Sequence, residues 1–156
     1  MNQRRLIALA GVVFFLTCAA LPAAASQESA VIATVHQFVD GFNRGDTKAE
    51  LATCDAQASI IDDFPPHEWQ GPTACADWAA AYAADAQKEG ATDGIVTLGK
   101  PWYLSVSGNR AYVVLPATFS WKDHGKPVTE GNSVFTVALR KSSMGWRITG
   151  WAWSKH

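Results

Sequence analysis

Two adjacent carboxylates, Asp62 and Asp63, stand just ahead of an imidazole and a third acid, His67 and Glu68. A carboxylate placed against an apolar cavity has a raised pKa and can move a proton near neutral pH. Asp62 is therefore the first candidate for a catalytic base, and His67 the candidate acid–base partner or hydrogen-bond donor to a ligand. The competing assignments are structural. Asp62 can cap backbone amides ahead of Pro65-Pro66, and His67 can be an ordinary surface loop residue. Asp63 is expected on the opposite side of the chain from Asp62, serving the turn. The spacing of these four residues matches no metal motif, so no metal is expected. No serine has a nucleophile-elbow context, and no glycine-rich phosphate loop is present, so no cofactor is expected either.

These residues lie in the stretch Asp55–Trp78, DAQASIIDDFPPHEWQGPTACADW. It reads as a strand at Ala58–Asp62, a polar loop, and a helix whose first turn suits Pro72. Upstream, Ser26 or Ser29 can cap a helix running to Asn43, with Val31, Val35, Phe38, Val39 and Phe42 on one face. Gly45 stops it. Asp46 caps a shorter helix from Thr47 to about Cys54. The third helix buries Cys75, Trp78, Ala79, Tyr82 and Ala86, and Gly90 ends it. After Gly94 four strand-like runs follow: Ile95–Ser107, Ala111–Trp121, Pro127–Arg140 and Trp146–Ser154. Pro101 marks a bulge or break in the first. Tyr103, Trp121 and His124 are expected on the sheet surface or in a turn.

Composition bounds the function. The chain has 156 residues, enough for one domain with a sizeable core. Its formal charge is −1 with Lys and Arg scattered, so no basic stripe offers itself to nucleic acid. Arg4 and Arg5, the apolar run Leu6–Leu21 and Ala23-Ala24-Ala25 read as a secretory leader with cleavage expected after Ala25, a lipoprotein anchor at Cys18 and an uncleaved anchor being the weaker alternatives. Residues 26–156 then form the domain, periplasmic or secreted, with no membrane contact once the leader is removed. That mature chain carries 11 basic against 14 acidic residues. It keeps one pair of cysteines, Cys54 and Cys75. In an exported protein such a pair favours a disulfide, with two free buried thiols as the alternative.

The pattern FVDGFNRGD, then DAQASIID, a loop ending at Gly71, a helix, and a meander closing on GWRITGWAW resembles the nuclear transport factor 2-like superfamily. That group includes ketosteroid isomerases, SnoaL-like polyketide cyclases and scytalone dehydratase. The resemblance implies an α+β, cystatin-like cone, with three N-terminal helices packed on a strongly curved antiparallel sheet. It also implies that Asp62, nine residues before Gly71, occupies the position of the isomerase base. The isomerase oxyanion donors are not preserved. Phe38 stands at the tyrosine position and Thr136 at the protonated aspartate, while Cys54 and Ala79 replace two supporting tyrosines. A base without such donors loses much of its advantage, so steroid isomerisation is not expected.

The alternation of the strands places Val113, Leu115, Ala117 and Phe119 on one face, and Trp151 and Trp153 on one face of the last run. The expected pocket wall comprises Phe38, Trp69, Leu115, Phe119, Asn132, Thr136, Trp151 and Trp153. Trp69 is either a lid or an anchor beneath the loop. Glu130, Asn132 and Thr136 alternate together, and the resemblance makes their face concave. The expectation is an exported domain binding a hydrophobic or aromatic small molecule. A cofactor-independent isomerase, dehydratase or cyclase with Asp62 as base is the alternative, and a homodimerising interaction module the third.

Overall fold

The computed structural model describes residues 21–155. The expected leader, apart from Leu21–Ala25, lies outside them. Helix α1 runs Leu21–Asn43, starting earlier than either serine cap suggested. Nothing between Pro22 and Ser29 stops a helix: the stretch is alanine-rich, and proline is tolerated in a first turn. Val31, Val35, Phe38 and Val39 are buried along one side, as their spacing requires. Helix α2, Thr47–Leu51, is capped by the Asp46 carboxylate, which accepts from the Ala49 amide at 3.0 Å.

The early strand is longer than expected. β1 spans Cys54–Ile61, so α2 ends before Cys54 rather than at it. Two tethers draw this segment out. The Ile148 amide donates to the Thr53 carbonyl at 2.8 Å, and Cys54 is bridged to Cys75 with Cα atoms 6.6 Å apart. The loop that follows folds back as β2, Glu68–Gly71, a strand the sequence did not suggest. Trp69 pairs with Ile60 in the antiparallel register of β1 and β2. Helix α3, Ala74–Glu89, ends at Gly90, whose left-handed backbone (φ 68°) lets its amide close onto the carbonyls of Ala86 and Gln87.

The remaining strands are β3 (Ala91–Leu98), β4 (Tyr103–Ser107), β5 (Arg110–Asp123), β6 (Lys126–Ser142) and β7 (Gly145–Ser154). The first expected run is thus two strands. The break falls at Gly99–Trp102, around Pro101, which has no amide for the ladder. Both pieces pair with β5. The seven-stranded sheet has the order β2-β1-β7-β6-β5-β3, with β4 also on β5.

The expectation of an antiparallel sheet needs correction. β1 and β7 run parallel, so the sheet is mixed. Every other pairing, that of β1 with β2 and those of the meander β3–β7, is antiparallel. The chain reaches β1 before any meander strand exists, and its partner β7 comes last, after the connection has gone round the whole sheet. The direction of that pairing is therefore set by tertiary packing, not by a local turn. The sheet is curved and not closed, and the helices lie against its concave side. Among the described residues no helix is long and apolar enough to cross a membrane.

One irregularity decides what the concave face carries. In the β5–β6 ladder Ala117 faces Ser133 but Phe119 faces Glu130. Gly131 and Asn132 together oppose the single residue Thr118, which is a β-bulge, and Asn132 takes a left-handed backbone with φ 62°. An extra residue exchanges the faces of everything beyond it. Ser133, Phe135, Val137 and Leu139 therefore point into the core, and Glu130 does too.

Candidate functional site

Between the helices and the concave sheet lies a cavity of about 320 Å³. That is the lower end of the size range for small-molecule sites. Its walls are rings. α1 supplies Phe38 and Phe42, α3 supplies Trp78 and Tyr82, β5 supplies Phe119 and Trp121, and β7 supplies Trp151 and Trp153. The rings brace one another edge to face or offset. Trp78 meets Trp151 at 89° with centroids 4.8 Å apart, Phe42 meets Tyr82 at 4.9 Å, and Phe119 stacks on Trp121 at 5.0 Å. Gly94 of β3 makes room for this wall. A Cβ there would stand 2.5 Å from the Tyr82 hydroxyl oxygen and 3.1 Å from the Phe119 ring.

Asp62 stands just past the end of β1 and lines the cavity. Its Oδ2 accepts from the Trp78 indole Nε1 at 2.8 Å, and its Oδ1 accepts from the Asp63 amide at 2.8 Å. Burial against the rings raises its pKa from 3.8 to about 6, and the Trp78 hydrogen bond offsets part of that rise. Tyr82 feels the same surroundings. Burial first, and then the Asp62 charge, push its hydroxyl up to about 12, so it remains a neutral donor. The site therefore holds a carboxylate that changes charge near pH 6, one indole N–H committed to it, and one phenol. Trp151 adds a buried indole N–H with no acceptor among the described residues.

The rim is acidic. Asp63, Asp85, Glu89 and Glu130 border the same cavity, and among the described residues Lys155 is its one basic residue. Lys155 is already shared, with its Nζ 2.6 Å from Asp63 Oδ2 and 2.9 Å from Glu130 Oε2. These two carboxylates hold the Lys155 ammonium well above its ordinary pKa. Glu130 Oε1 also accepts from Ser133 Oγ at 2.9 Å. Asp63 faces the cavity beside Asp62, against expectation, because strand geometry has ended at Ile61 and alternation no longer applies.

Of the residues expected to form the site, Asp62, Phe38, Phe119, Trp151 and Trp153 come together around the cavity. The other expected members lie elsewhere. His67 is exposed on the β1–β2 hairpin, and its Nδ1 lies 3.1 Å from the main-chain oxygen of Asp62, not from its carboxylate. Trp69 is buried beneath the hairpin with Phe64, centroids 5.1 Å apart, so it anchors the loop and is no lid. Leu115 is fully buried in the filled part of the core. Asn132 and Thr136 lie off the cavity because the bulge puts them out of step with Phe135. Asn132 borders a separate depression with Trp102 and Pro116.

Several wall residues escaped the sequence reading. Trp121, expected on the surface, follows Phe119 at strand spacing and was reachable by extending the same alternation. Asp85 lies two helical turns on from Trp78, on the face already carrying Tyr82. Phe135 and Lys155 had no local signal.

Helices laid into a curved mixed sheet around an aromatic hollow define the nuclear transport factor 2-like, cystatin-like class of fold. Residues 31–155 match the SnoaL-like domain family, and the chain belongs to it. Similar solved structures include an NTF2-like protein with a cystatin-like fold from Novosphingobium aromaticivorans. It is 14% identical with a TM-score of 0.71, over 92% of this chain and 90% of that one. A protein of unknown function from Mycobacterium tuberculosis is 14% identical with a TM-score of 0.73, over 90% of this chain and 78% of that one. A ketosteroid isomerase-like protein from Erwinia carotovora atroseptica is 18% identical with a TM-score of 0.66, over 83% of this chain and 95% of that one. At such identities the likeness is one of fold. No curated protein sequence matches the chain.

Proposed function

We propose that this protein is an exported binding domain whose aromatic cavity holds a hydrophobic or aromatic small molecule against the Asp62 carboxylate. The observation that carries the reading is the ring-walled cavity with a half-buried carboxylate in its wall. Apolar walls with few polar groups are the usual composition of a small-molecule site: the walls supply affinity and the polar groups orientation. Export rests on the leader pattern in the sequence, and the Cys54–Cys75 bridge is in keeping with an oxidising compartment.

A second reading is favoured by one observation, the burial of the Asp62 carboxylate against the rings, which raises its pKa to about 6. A carboxylate tuned to that range is suited to abstract a proton from a bound substrate, as a cofactor-independent isomerase, dehydratase or cyclase requires. In that reading Asp62 acts without His67, whose ring is engaged with the Asp62 main chain, and Tyr82 is the neutral donor beside it.

The neutral fluorophore N-phenyl-1-naphthylamine tests the binding reading. Its emission should rise on mixing with the protein and should not rise with Ala86→Phe, which plugs the cavity from α3. Equal enhancement with both proteins would end it. A substrate screen then separates the two readings. Asp62→Asn keeps probe binding in either case, and abolishes turnover only if Asp62 is a base.

A further inference from the structure

We propose that the ligand of this cavity is a lipophilic cation, an amine or quaternary ammonium carried on an apolar body. This deepens the binding reading and rests on it. The site is the cavity itself, and the ring faces of its walls and most of its rim charges are negative.

Aromatic rings present a negative face, and a cation over such a face within about 6 Å of the centroid is attracted to it. Here rings approach the hollow from α1, α3, β5, β6 and β7. The charged groups add to the same field. Among the described residues five carboxylates border the cavity against one ammonium. That ammonium, Lys155, is held by both Asp63 and Glu130. An anionic ligand would therefore find no free basic group at this site among the described residues. Glu89 is paired with its exposed neighbour Lys88. Asp62 and Asp85 have no ion pair among the described residues and lie on facing elements, the end of β1 and the inner side of α3.

A neutral ligand filling the hollow would strip water from these carboxylates and return nothing. A cationic ligand gives back the lost solvation by direct attraction, and does so where water is excluded and the attraction is strongest. A cavity of about 320 Å³ admits a single aromatic ring bearing an ammonium head.

The test uses three ligands of one shape: benzyltrimethylammonium, its uncharged isostere neopentylbenzene, and the anion phenylmethanesulfonate. Each displaces N-phenyl-1-naphthylamine from the full-length mature domain. The expected order is cation, then neutral, then anion, with the cation about tenfold tighter than the isostere. Asp85→Asn should weaken the cation about threefold more than it weakens the neutral ligand, and Asp62→Asn should do likewise. Neopentylbenzene binding as well as the cation would overturn this inference and leave the binding reading standing. A cation preference untouched by either substitution would also overturn it, by placing the cation elsewhere on the surface. Failure of all three ligands and of the fluorophore would bring down both.

Discussion

The indole nitrogen of Trp78 donates to the Asp62 carboxylate at 2.8 Å, joining the inner face of α3 to the end of β1. Two opposed effects meet in that bond. Burial raises the Asp62 pKa to about 6, and the indole donor, which favours the charged form, holds it from rising further. Trp78→Phe removes the donor while keeping a ring in the wall. The Asp62 titration, followed by carboxyl carbon NMR, should have its midpoint near pH 6 in the parent and higher in the variant. A parent midpoint in the ordinary aspartate range would mean that the carboxylate faces water.

Glu50 is a second buried carboxylate, away from the cavity. It is 4% exposed and its Oε1 has no partner among the described residues. Desolvation raises its pKa from 4.5 to about 7. A folded-state pKa above the unfolded one means that the folded protein holds a proton the unfolded chain releases. Stability from this group is greatest below pH 4.5, falls as pH rises, and levels off above about 7. Glu50→Gln removes that dependence. Urea denaturation should find it more stable than the parent by about 3 kcal/mol at most above pH 7.5, and indistinguishable near pH 4. A gap of the same size at both pH values would mean that packing, not charge, separates them.

Asp55 shows the opposite sign. Its carboxylate takes the Arg140 guanidinium at 2.6 Å and 3.1 Å, tying β1 to β6 across β7. The Arg140 hydrogen bonds hold its pKa below the ordinary aspartate value. A depressed folded-state pKa gives stability that is present above the unfolded value and lost as pH falls through the folded one. Arg140→Met should lower the melting temperature at neutral pH. The difference from the parent should narrow on acidification, once Asp55 is protonated in both proteins. A difference constant down to strongly acid pH would show that the guanidinium acts through its packing alone.

The Cys54–Cys75 bridge joins residues 21 positions apart and closes a loop that contains Asp62 and the whole β1–β2 hairpin. Cross-linking a loop of that size restricts the unfolded chain and is worth about 3 kcal/mol. A Cys54→Ser, Cys75→Ser double variant should unfold at correspondingly lower urea. If the bridge also fixes the hairpin against α3, fluorophore binding should weaken in the variant under conditions where it remains folded. Unchanged binding would confine the bridge to a stabilising role.

Where the information was local, the sequence was sufficient. The core face of α1 follows from helical spacing, and β5 from strict alternation through Phe119. Asp62 sits at the cavity because an apolar strand must stop before Pro65-Pro66, and a polar residue at that stop stands where the sheet meets the helices. A bridge between Cys54 and Cys75 was favoured over two free thiols because they are the two cysteines beyond the expected leader, and the structure bridges them. The tertiary structure decided the rest. Which face of β6 looks inward depends on one extra residue at Gly131–Asn132, and that bulge exists only relative to β5. It put Glu130 and Phe135 into the site and kept Asn132 and Thr136 out. Likewise β1 pairs in parallel with β7, the last strand in the chain, a partner that the curl of the sheet brings beside it. Alternation along one strand fixes relative directions of side chains. The absolute direction comes from the neighbouring strand, and a chain read alone does not contain it.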